Sequence, residues 1–259
     1  MRFAIIALVC AAAALAQVLL VSPSFVVEGK VVKGVPYTAQ AVTSNKQTLA
    51  TGGVISTEMT AQVARDAEGR TRREQTIGAI GPWFVERSSG EGRTVIVIQD
   101  PVKGVNYTLD PRTHLARVSR QRTAAESEQL QLREERRREE TLKREPRRER
   151  SESLGERTME GVRAEGKKTV TTFPPGSVGN TEPIEIIEET WYSPELQVVV
   201  RNTRSDPRVG VMTYRLISIR RGDPPASLFE VPAEYHVETD QERREPERRK
   251  EEPRKEPRG

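Results

Sequence analysis

Few residues of this chain could do chemistry, and they lie far apart in the sequence. The two histidines, His114 and His236, have no His, Cys or acidic neighbour at the spacing that a metal site requires. The sequence contains no nucleophile elbow, no phosphate-binding glycine loop, no dinucleotide fingerprint and no zinc-protease motif. We therefore expect no cofactor, no metal ion and no enzyme activity. A catalytic site would require one of the histidines to meet a carboxylate in the fold.

Aromatic side chains are the remaining candidates for a binding contact. Tryptophan and tyrosine combine a large apolar surface with a polar group, so they serve both in cores and on ligand-binding surfaces. Trp83 follows a stretch that contains two glycines and a proline, which favours an exposed position. Trp191 and Tyr192 are adjacent in a predicted strand, where core packing is the alternative to a ligand contact. We predict Trp83, Trp191 and Tyr192 as the binding residues.

The first residues have the pattern of an export signal. Arg2 precedes an apolar run, and an Ala-Leu-Ala sequence ending at Ala16 has the small residues that a signal peptidase requires. Residues 1–16 are therefore predicted to be a cleaved signal peptide. Residues 3–21 would just suffice to span a bilayer, which leaves an uncleaved membrane anchor as the alternative. Either way, we expect a periplasmic or extracellular protein, and the only cysteine, Cys10, lies inside this segment.

The rest of the chain is divided into short strands by turn signals at intervals of roughly ten residues. The loop 66–69 contains a glycine and joins two runs of strand character, a pattern typical of a β-hairpin. Val95–Ile98 is a continuous β-branched run, which favours a strand covered on both faces. Further turns are marked by Asp-Pro pairs, at residues 100–101, 110–111, 206–207 and 223–224. We predict a mainly β protein with an antiparallel sheet, formed in two halves by residues 26–119 and 153–238.

Alternation along the last long strand predicts apolar residues on both faces of the sheet. Met212, Tyr214 and Leu216 share one face, whereas Ile217 and Ile219 share the other. A sheet with one face in water would not need this pattern. We therefore expect a second sheet, a helix or a ligand to cover the second face.

The charged residues are concentrated in two segments. Residues 120–152 contain 11 basic and 9 acidic side chains, and residues 240–259 contain 8 basic and 7 acidic ones. Favourable pairs four residues apart predict a charged, exposed helix or disorder in 120–152, and the Pro-containing tail 239–259 is predicted to be disordered. The net charge of +4 thus belongs to the appendages. Because the remaining charges balance, we expect no binding to nucleic acid.

Four segments carry a resemblance to known families: residues 65–74, 154–162, 191–196 and 228–235. They resemble a group of uncharacterised secreted proteins common in acidobacteria. More distantly, the strand that ends at Trp191 and the closing motif Phe229-x-x-Pro232-x-x-Tyr235 resemble the outer-membrane lipoprotein carriers and the related periplasmic sigma-factor regulators. This resemblance implies a sheet that forms a half-open barrel, with a sandwich as the alternative. The charged segment departs from the carrier pattern, and no ligand residue of the carriers can be placed on this chain.

These observations favour a non-enzymatic envelope protein that binds an apolar ligand or a partner segment on a concave sheet face. A lipid or the acyl chain of a lipoprotein would suit such a face. The alternative is an envelope scaffold whose sheet is fully packed and has no ligand cavity. A lined apolar cavity would favour the first function, and a filled core would favour the second. The expected partners are a lipid or another envelope protein, and an uncleaved N-terminus would add membrane association.

Overall fold

The computed structural model describes residues 31–77, 92–144, 147–239 and 242, and these residues form one twelve-stranded sheet with one α-helix. The strands are β1 (Tyr37–Thr48), β2 (Val54–Arg65), β3 (Thr71–Ile77), β4 (Arg93–Asp100), β5 (Val105–Asp110), β6 (Leu115–Arg120), β7 (Arg148–Met159), β8 (Val162–Phe173), β9 (Ile184–Ser193), β10 (Val198–Asp206), β11 (Gly210–Arg221) and β12 (His236–Thr239). The helix α1 spans Ala124–Arg144, and a short 3-10 helix spans Ala226–Phe229. The protein is therefore mainly β, as the turn spacing predicts, and β2 and β3 form the predicted hairpin.

The strand order places the two halves of the chain side by side. The order is β12-β6-β5-β4-β3-β2-β1-β11-β10-β9-β8-β7, so the pair of β1 and β11 joins the halves near the centre. Strands β1 to β6 follow one another from the centre toward the edge strand β12. Strands β7 to β11 follow one another from the opposite edge back to the centre. Within the described residues the two edge strands do not pair, so the sheet is open and fits a half-open barrel.

The strand β12 is an exception to the antiparallel pattern. It runs parallel to Leu115–Val118 of β6, so the sheet, predicted as antiparallel, is mixed at this edge. After β11, the chain crosses β3 and β4 through the 3-10 helix before it reaches β6. Because this connection is a crossover and not a hairpin, the strand can enter in the same direction as its neighbour.

Helix α1 connects the two edge regions of the sheet, since it follows β6 and precedes β7. Its first turn is held by a capping box: the Thr123 hydroxyl accepts a bond of 3.2 Å from the Glu126 amide, and the Glu126 carboxylate accepts one of 2.7 Å from the Thr123 amide. Arg120 donates two more bonds to the same carboxylate, at 2.9 and 2.7 Å. The helix is thus fixed by local bonds at its start.

Two clusters of buried residues form the core. The first gathers residues of β1, β2, β8 to β11 and the β9–β10 turn around Trp191, including Tyr37, Ala39, Ala41, Ala61, Val162, Ala164, Leu196, Val198, Val200, Tyr214 and Leu216. The second gathers residues of β2 and β4 to β6 around Phe229, namely Ala64, Ile96, Ile98, Leu109 and Ala116. The C-terminal segment therefore belongs to the core of the sheet's outer strands.

A bulge near the end of β11 changes the face alternation. Ser218 has a positive φ of 55°, and the register of β1 against β11 shifts between Thr38 and Gln40. An extra residue in one strand reverses the alternation beyond it. Ile219 accordingly packs against the first cluster together with Leu216, and the prediction that placed it on the opposite face is wrong.

Several predictions concern residues outside the described ranges. The signal peptide 1–16, its alternative 3–21 and nearly all of the tail 239–259 lie there, and they stay predictions. Among the helices that the structure describes, none is long and apolar enough to cross a membrane. The last residues of the charged segment 120–152 form part of the sheet, because β7 begins at Arg148.

Candidate functional site

The predicted aromatic residues differ in position. Trp191 is 4% exposed and lies in the first cluster. Its ring packs so closely on Gly166 that a Cβ atom there would lie 2.7 Å from two ring carbons. On the same ring, the Arg157 guanidinium lies 4.9 Å from a ring centroid. Tyr192 is half-buried, whereas Trp83 lies outside the described residues. Packing thus explains Trp191, and a binding role for the three residues stays a prediction.

The two histidines meet through the main chain. The His236 amide donates a 2.8 Å hydrogen bond to the His114 carbonyl, where β12 begins beside β6. The His114 ring stands edge-on to Tyr235 at 5.4 Å between ring centroids. Across the described ranges, no carboxylate forms an ion pair with either ring, and no group of three or more metal-binding side chains occurs. Within the described residues, β12 and β6 thus bring the two histidines together through a backbone bond.

One face of β3 and β4 is closed by the C-terminal segment, and we call it the covered face. Ile96 and Ile98 of β4 point to this face and are 6% and 0% exposed. Phe229, which is 1% exposed, packs against them, and the ring also lies 5.2 Å from the Arg70 guanidinium. A side chain of this size contributes several kcal/mol when it is fully buried, so the covered face is a core.

Arg72 of β3 also lies on the covered face, and all its described bonds are made there. Its Nη1 donates a 3.0 Å hydrogen bond to the Leu228 carbonyl of the segment that covers this face. Its Nη2 lies 2.8 Å from the Glu74 carboxylate. The guanidinium therefore has both a carbonyl acceptor and a charge partner.

The opposite face of the same strands carries half-buried residues. In the register of β2, β3 and β4, Arg73 lies between Val63 and Val97, and Gln75 lies between Ala61 and Val95. The Gln75 amide nitrogen lies 3.9 Å from the Met59 sulfur, which places that methionine on the same face. The half-buried residues that we group here are Met59, Arg73, Gln75, Val95 and Val97.

Arg65 shows that the sheet curls toward this second face. Its Nη2 donates to the carbonyl of Leu196 in the turn between β9 and β10, although β1 and β11 lie between β2 and β10. Its Nε and Nη2 also donate to the Val35 carbonyl at 3.2 and 2.9 Å. Arg65 shares its face with Val63, two residues earlier in the strand. A contact across two intervening strands requires curvature, so we call this the inner face.

The inner face has a filled part and a half-buried part. Over β1 and β8 to β11, the first cluster fills the face with Trp191, Leu196 and Tyr214 above the small side chains of Ala39 and Ala41. Over β3 and β4, the group of Met59, Arg73, Gln75, Val95 and Val97 is half-buried. The filled core that would favour a scaffold and the apolar surface that would favour ligand binding thus occur side by side.

Phenols and guanidinium groups meet at the border of the two parts. The Arg65 guanidinium lies 4.9 Å from the ring centroid of Tyr37. Burial raises the pKa of Tyr37 and that of Tyr214, so both phenols are protonated at neutral pH. Burial also lowers the pKa of Arg73, and the phenols of Tyr214 and Tyr37 oppose this shift. An arginine remains cationic in proteins, so the border carries positive charge beside neutral hydroxyl groups.

Arg73 is not among the residues that the sequence predicts for the site. A single arginine in a strand is typical of a solvent-facing position, and the resemblance carried by residues 65–74 assigns Arg73 no role. The signal that could have found it is the pair Arg72-Arg73, because adjacent strand residues point to opposite faces. One arginine of the pair therefore lies on each face of the sheet, and a charge partner can be sought for each of them.

Helix α1 carries a surface groove of about 220 Å³. The groove is lined by residues of this helix, namely Gln129, Leu132, Arg133 and Arg136. Because all four belong to one exposed helix, the groove is not a site built between elements. The sheet, not the helix, therefore holds the candidate site.

No family model matches the chain, and no curated protein matches it. Solved structures align weakly. MucB in complex with MucA from Pseudomonas aeruginosa aligns at 11% identity over 80% of this chain and 59% of that chain, with a TM-score of 0.37. The lipoprotein LppX of Mycobacterium tuberculosis aligns at 14% identity over 77% of this chain and 91% of that chain, with a TM-score of 0.31. The LolA-superfamily protein NE2245 from Nitrosomonas europaea aligns at 10% identity over 83% and 97%, with a TM-score of 0.29.

The predicted distant resemblance to lipoprotein carriers rests on the sequence motifs. This chain spans about three fifths of the length of the MucB chain. Because the TM-scores lie below 0.5, the alignments carry no argument about the ligand, the partner or the site of this chain. Membership of the secreted acidobacterial group stays a prediction from the sequence.

Proposed function

We propose that this chain is an exported, non-enzymatic envelope protein that binds an apolar ligand or partner segment on the inner face of its sheet. The observation that carries the proposal is the difference between alternate residues of β4. Ile96 and Ile98 are buried under the C-terminal segment, whereas Val95 and Val97 are half-buried on a face toward which the sheet curls. A concave apolar face with a few polar groups is what a lipid-binding surface requires.

The proposed location in the periplasm or outside the cell rests on the N-terminal residues 1–16. Cleavage would release the chain, and retention of residues 3–21 would anchor it in the membrane. N-terminal sequencing of the protein purified from the envelope distinguishes the two, since cleavage leaves Gln17 as the first residue. Either result keeps the sheet outside the cytoplasm.

Native mass spectrometry of the full chain purified from the cell envelope, followed by lipid extraction, tests the proposed function. We expect a mass above that of the polypeptide and an apolar molecule in the extract. A polypeptide that carries neither a lipid nor a partner, and that takes up none when it is offered, would overturn the proposal.

A variant on the inner face sharpens this test. Val97→Glu places a charge in the middle of the half-buried group, and we expect it to abolish uptake of an apolar fluorescent probe. Val102→Glu makes the same chemical change at a turn residue that is 60% exposed and serves as the matched control. Where circular dichroism shows that Val97→Glu does not fold, Val97→Ala replaces it, and a several-fold weaker uptake is the expected result.

The filled part of the inner face favours a second candidate, an envelope scaffold without a ligand cavity. Trp191 and its neighbours leave little space there, as a buried core requires. Exposed apolar residues near the β1–β2 turn and the start of β11 would then form the partner contact: Leu49, Val54, Ile55, Val209 and Val211. Charged substitutions at Ile55 and Val211 would weaken a scaffold's partner contact but would leave probe uptake unchanged.

A further inference from the structure

Arg73 is a cation set in an apolar surface. Its strand neighbours on the inner face are Val63 and Val97, one on each side. It is half-buried, and burial lowers its pKa from the ordinary value. A cation in such a place is costly to desolvate unless another group compensates its charge.

The described residues compensate Arg73 with a neutral amide. Its Nε and Nη2 donate hydrogen bonds of 3.1 and 2.9 Å to the Oε1 atom of Gln75. In the part of the chain that the structure describes, no carboxylate lies within 4.0 Å of this guanidinium. A guanidinium has five N–H donors, and Gln75 engages two of them. Among the described residues no other acceptor binds this guanidinium, so its remaining donors and its charge can serve a ligand.

The neighbouring arginines do not share this property. Arg72 has the Glu74 carboxylate at 2.8 Å and the Leu228 carbonyl at 3.0 Å. Arg65 also has no carboxylate within 4.0 Å among the described residues, but its donors bind the carbonyls of Val35 and Leu196. Arg65 therefore has a structural role, and its charge adds to the positive potential near Arg73.

We infer that the ligand of the inner face is a single-chain amphiphile with one carboxylate, whose acid group binds Arg73 and whose chain lies along Met59, Val95 and Val97. This inference rests on the proposed function and names the class of its ligand. The planar fork of a guanidinium matches a carboxylate in a bidentate pair. One cation without a carboxylate partner among the described residues suits one negative charge, and the flanking valines and methionine suit an alkyl chain.

Competition among twelve-carbon ligands tests the inference. The full chain is stripped of lipid and loaded with a neutral fluorescent apolar probe, and laurate, dodecanol and dodecyl phosphate are compared as displacers. We expect laurate to displace the probe at a concentration about tenfold or more below that of dodecanol, since a charge-assisted pair corresponds to at least one factor of ten. Displacement by dodecyl phosphate well below the laurate concentration would overturn the choice of a carboxylate.

Variants at Arg73 complete the test. Arg73→Gln removes the charge, and we expect it to bring laurate to the level of dodecanol while dodecanol itself is unaffected. Arg73→Lys keeps the charge without the fork, and an intermediate laurate concentration is expected. Arg112→Gln makes the matched change at an exposed turn residue and should leave the preference for laurate intact.

The outcomes separate this inference from the function on which it rests. Equal displacement by laurate and dodecanol, unchanged in Arg73→Gln, would overturn the carboxylate site but leave apolar binding in place. Failure of the folded chain to take up the probe, with no displacement by any of the three ligands, would overturn the proposed function as well.

Discussion

Arg72 and Arg73 are adjacent on one strand, yet they lie on opposite faces of the sheet and have different bonding partners. Arg72 donates to the Leu228 carbonyl and pairs with Glu74 under the C-terminal segment. Arg73 lies between two valines on the inner face and donates to the neutral side chain of Gln75. The same residue type is thus part of a closed core on one face and a candidate ligand contact on the other.

The comparison shows that the two faces of the sheet bury their apolar residues in different ways. The covered face uses a segment of the chain itself, with Phe229 as the central side chain. The inner face is filled around Trp191 but is half-buried around Val97. We therefore expect substitutions on the covered face to act on stability and substitutions near Arg73 to act on binding.

The largest expected effect is the loss of Phe229. Phe229→Ala removes a 1%-exposed ring from the second cluster, and we expect it to lower the free energy of unfolding by about 3–5 kcal/mol. Urea denaturation measures the change. Val97→Ala is the comparison on the inner face, and a loss of about 1 kcal/mol is expected there, because the side chain is half-buried. Equal losses in both variants would show that the two faces do not differ.

The next effect concerns the filled part of the inner face. In Gly166→Ala, the new Cβ atom would lie 2.7 Å from the Trp191 ring and 2.8 Å from the Leu154 Cβ atom. We expect a loss of about 1–3 kcal/mol, because a packed core resists added volume. Thermal unfolding followed by circular dichroism provides the measurement.

A second substitution controls for the cause of that loss. Trp191→Phe shortens the ring system, so the double variant Gly166→Ala/Trp191→Phe should lose less than the sum of the two single variants. Additive losses would show that the Trp191 ring does not press on residue 166.

The arginine pair itself provides a direct comparison. Arg72→Met should lower the free energy of unfolding by about 1–2 kcal/mol, since the Leu228 carbonyl and the Glu74 carboxylate lose their partner. Arg73→Met should leave stability unchanged or raise it, because an apolar side chain replaces a half-buried charge that has no acidic partner among the described residues. Denaturation midpoints of the two variants in the absence of ligand are compared. A loss in Arg73→Met as large as that in Arg72→Met would contradict the difference between the faces.

The smallest effect on the stability of the whole protein is expected at the start of α1. This helix start is held by local hydrogen bonds and not by packing on a face of the sheet. Arg120 and Thr123 lower the pKa of Glu126 to about 2. The pKa of Glu126 is lower in the folded state than in the unfolded state, so the ionised carboxylate stabilises the start of the helix. This stabilisation is present above the unfolded pKa of about 4.3 and is lost as the pH falls through about 2. NMR shifts of the helix amides in a pH titration follow the loss. Glu126→Gln should remove the dependence on pH, and an unchanged titration in that variant would assign it to another group.

The sequence predicts much of the fold because its signals are local. The glycine-containing loop 66–69 marks the hairpin of β2 and β3, and Val95–Ile98 lies within a strand with some cover on both faces. The parallel entry of β12 depends on a crossover that no local pattern encodes. The reversed alternation at Ile219 depends on the bulge at Ser218, which a regular period of two cannot show.

The candidate site was harder to predict for a related reason. Aromatic type alone does not separate a core residue from a ligand contact, and Trp191 proves to be packed on Gly166. The importance of Arg73 follows from what lies near it, namely two valines and no described carboxylate, and these neighbours come from the register of three strands. Composition and motifs carry no information on that register.

Methyl NMR of the full chain tests the central claim most directly, because alternate residues of β4 report on opposite faces. Addition of laurate should shift the methyl resonances of Val95 and Val97 and leave those of Ile96 and Ile98 in place. Shifts confined to Ile96 and Ile98, or no shift in any of the four residues at saturating laurate, would contradict binding on the inner face.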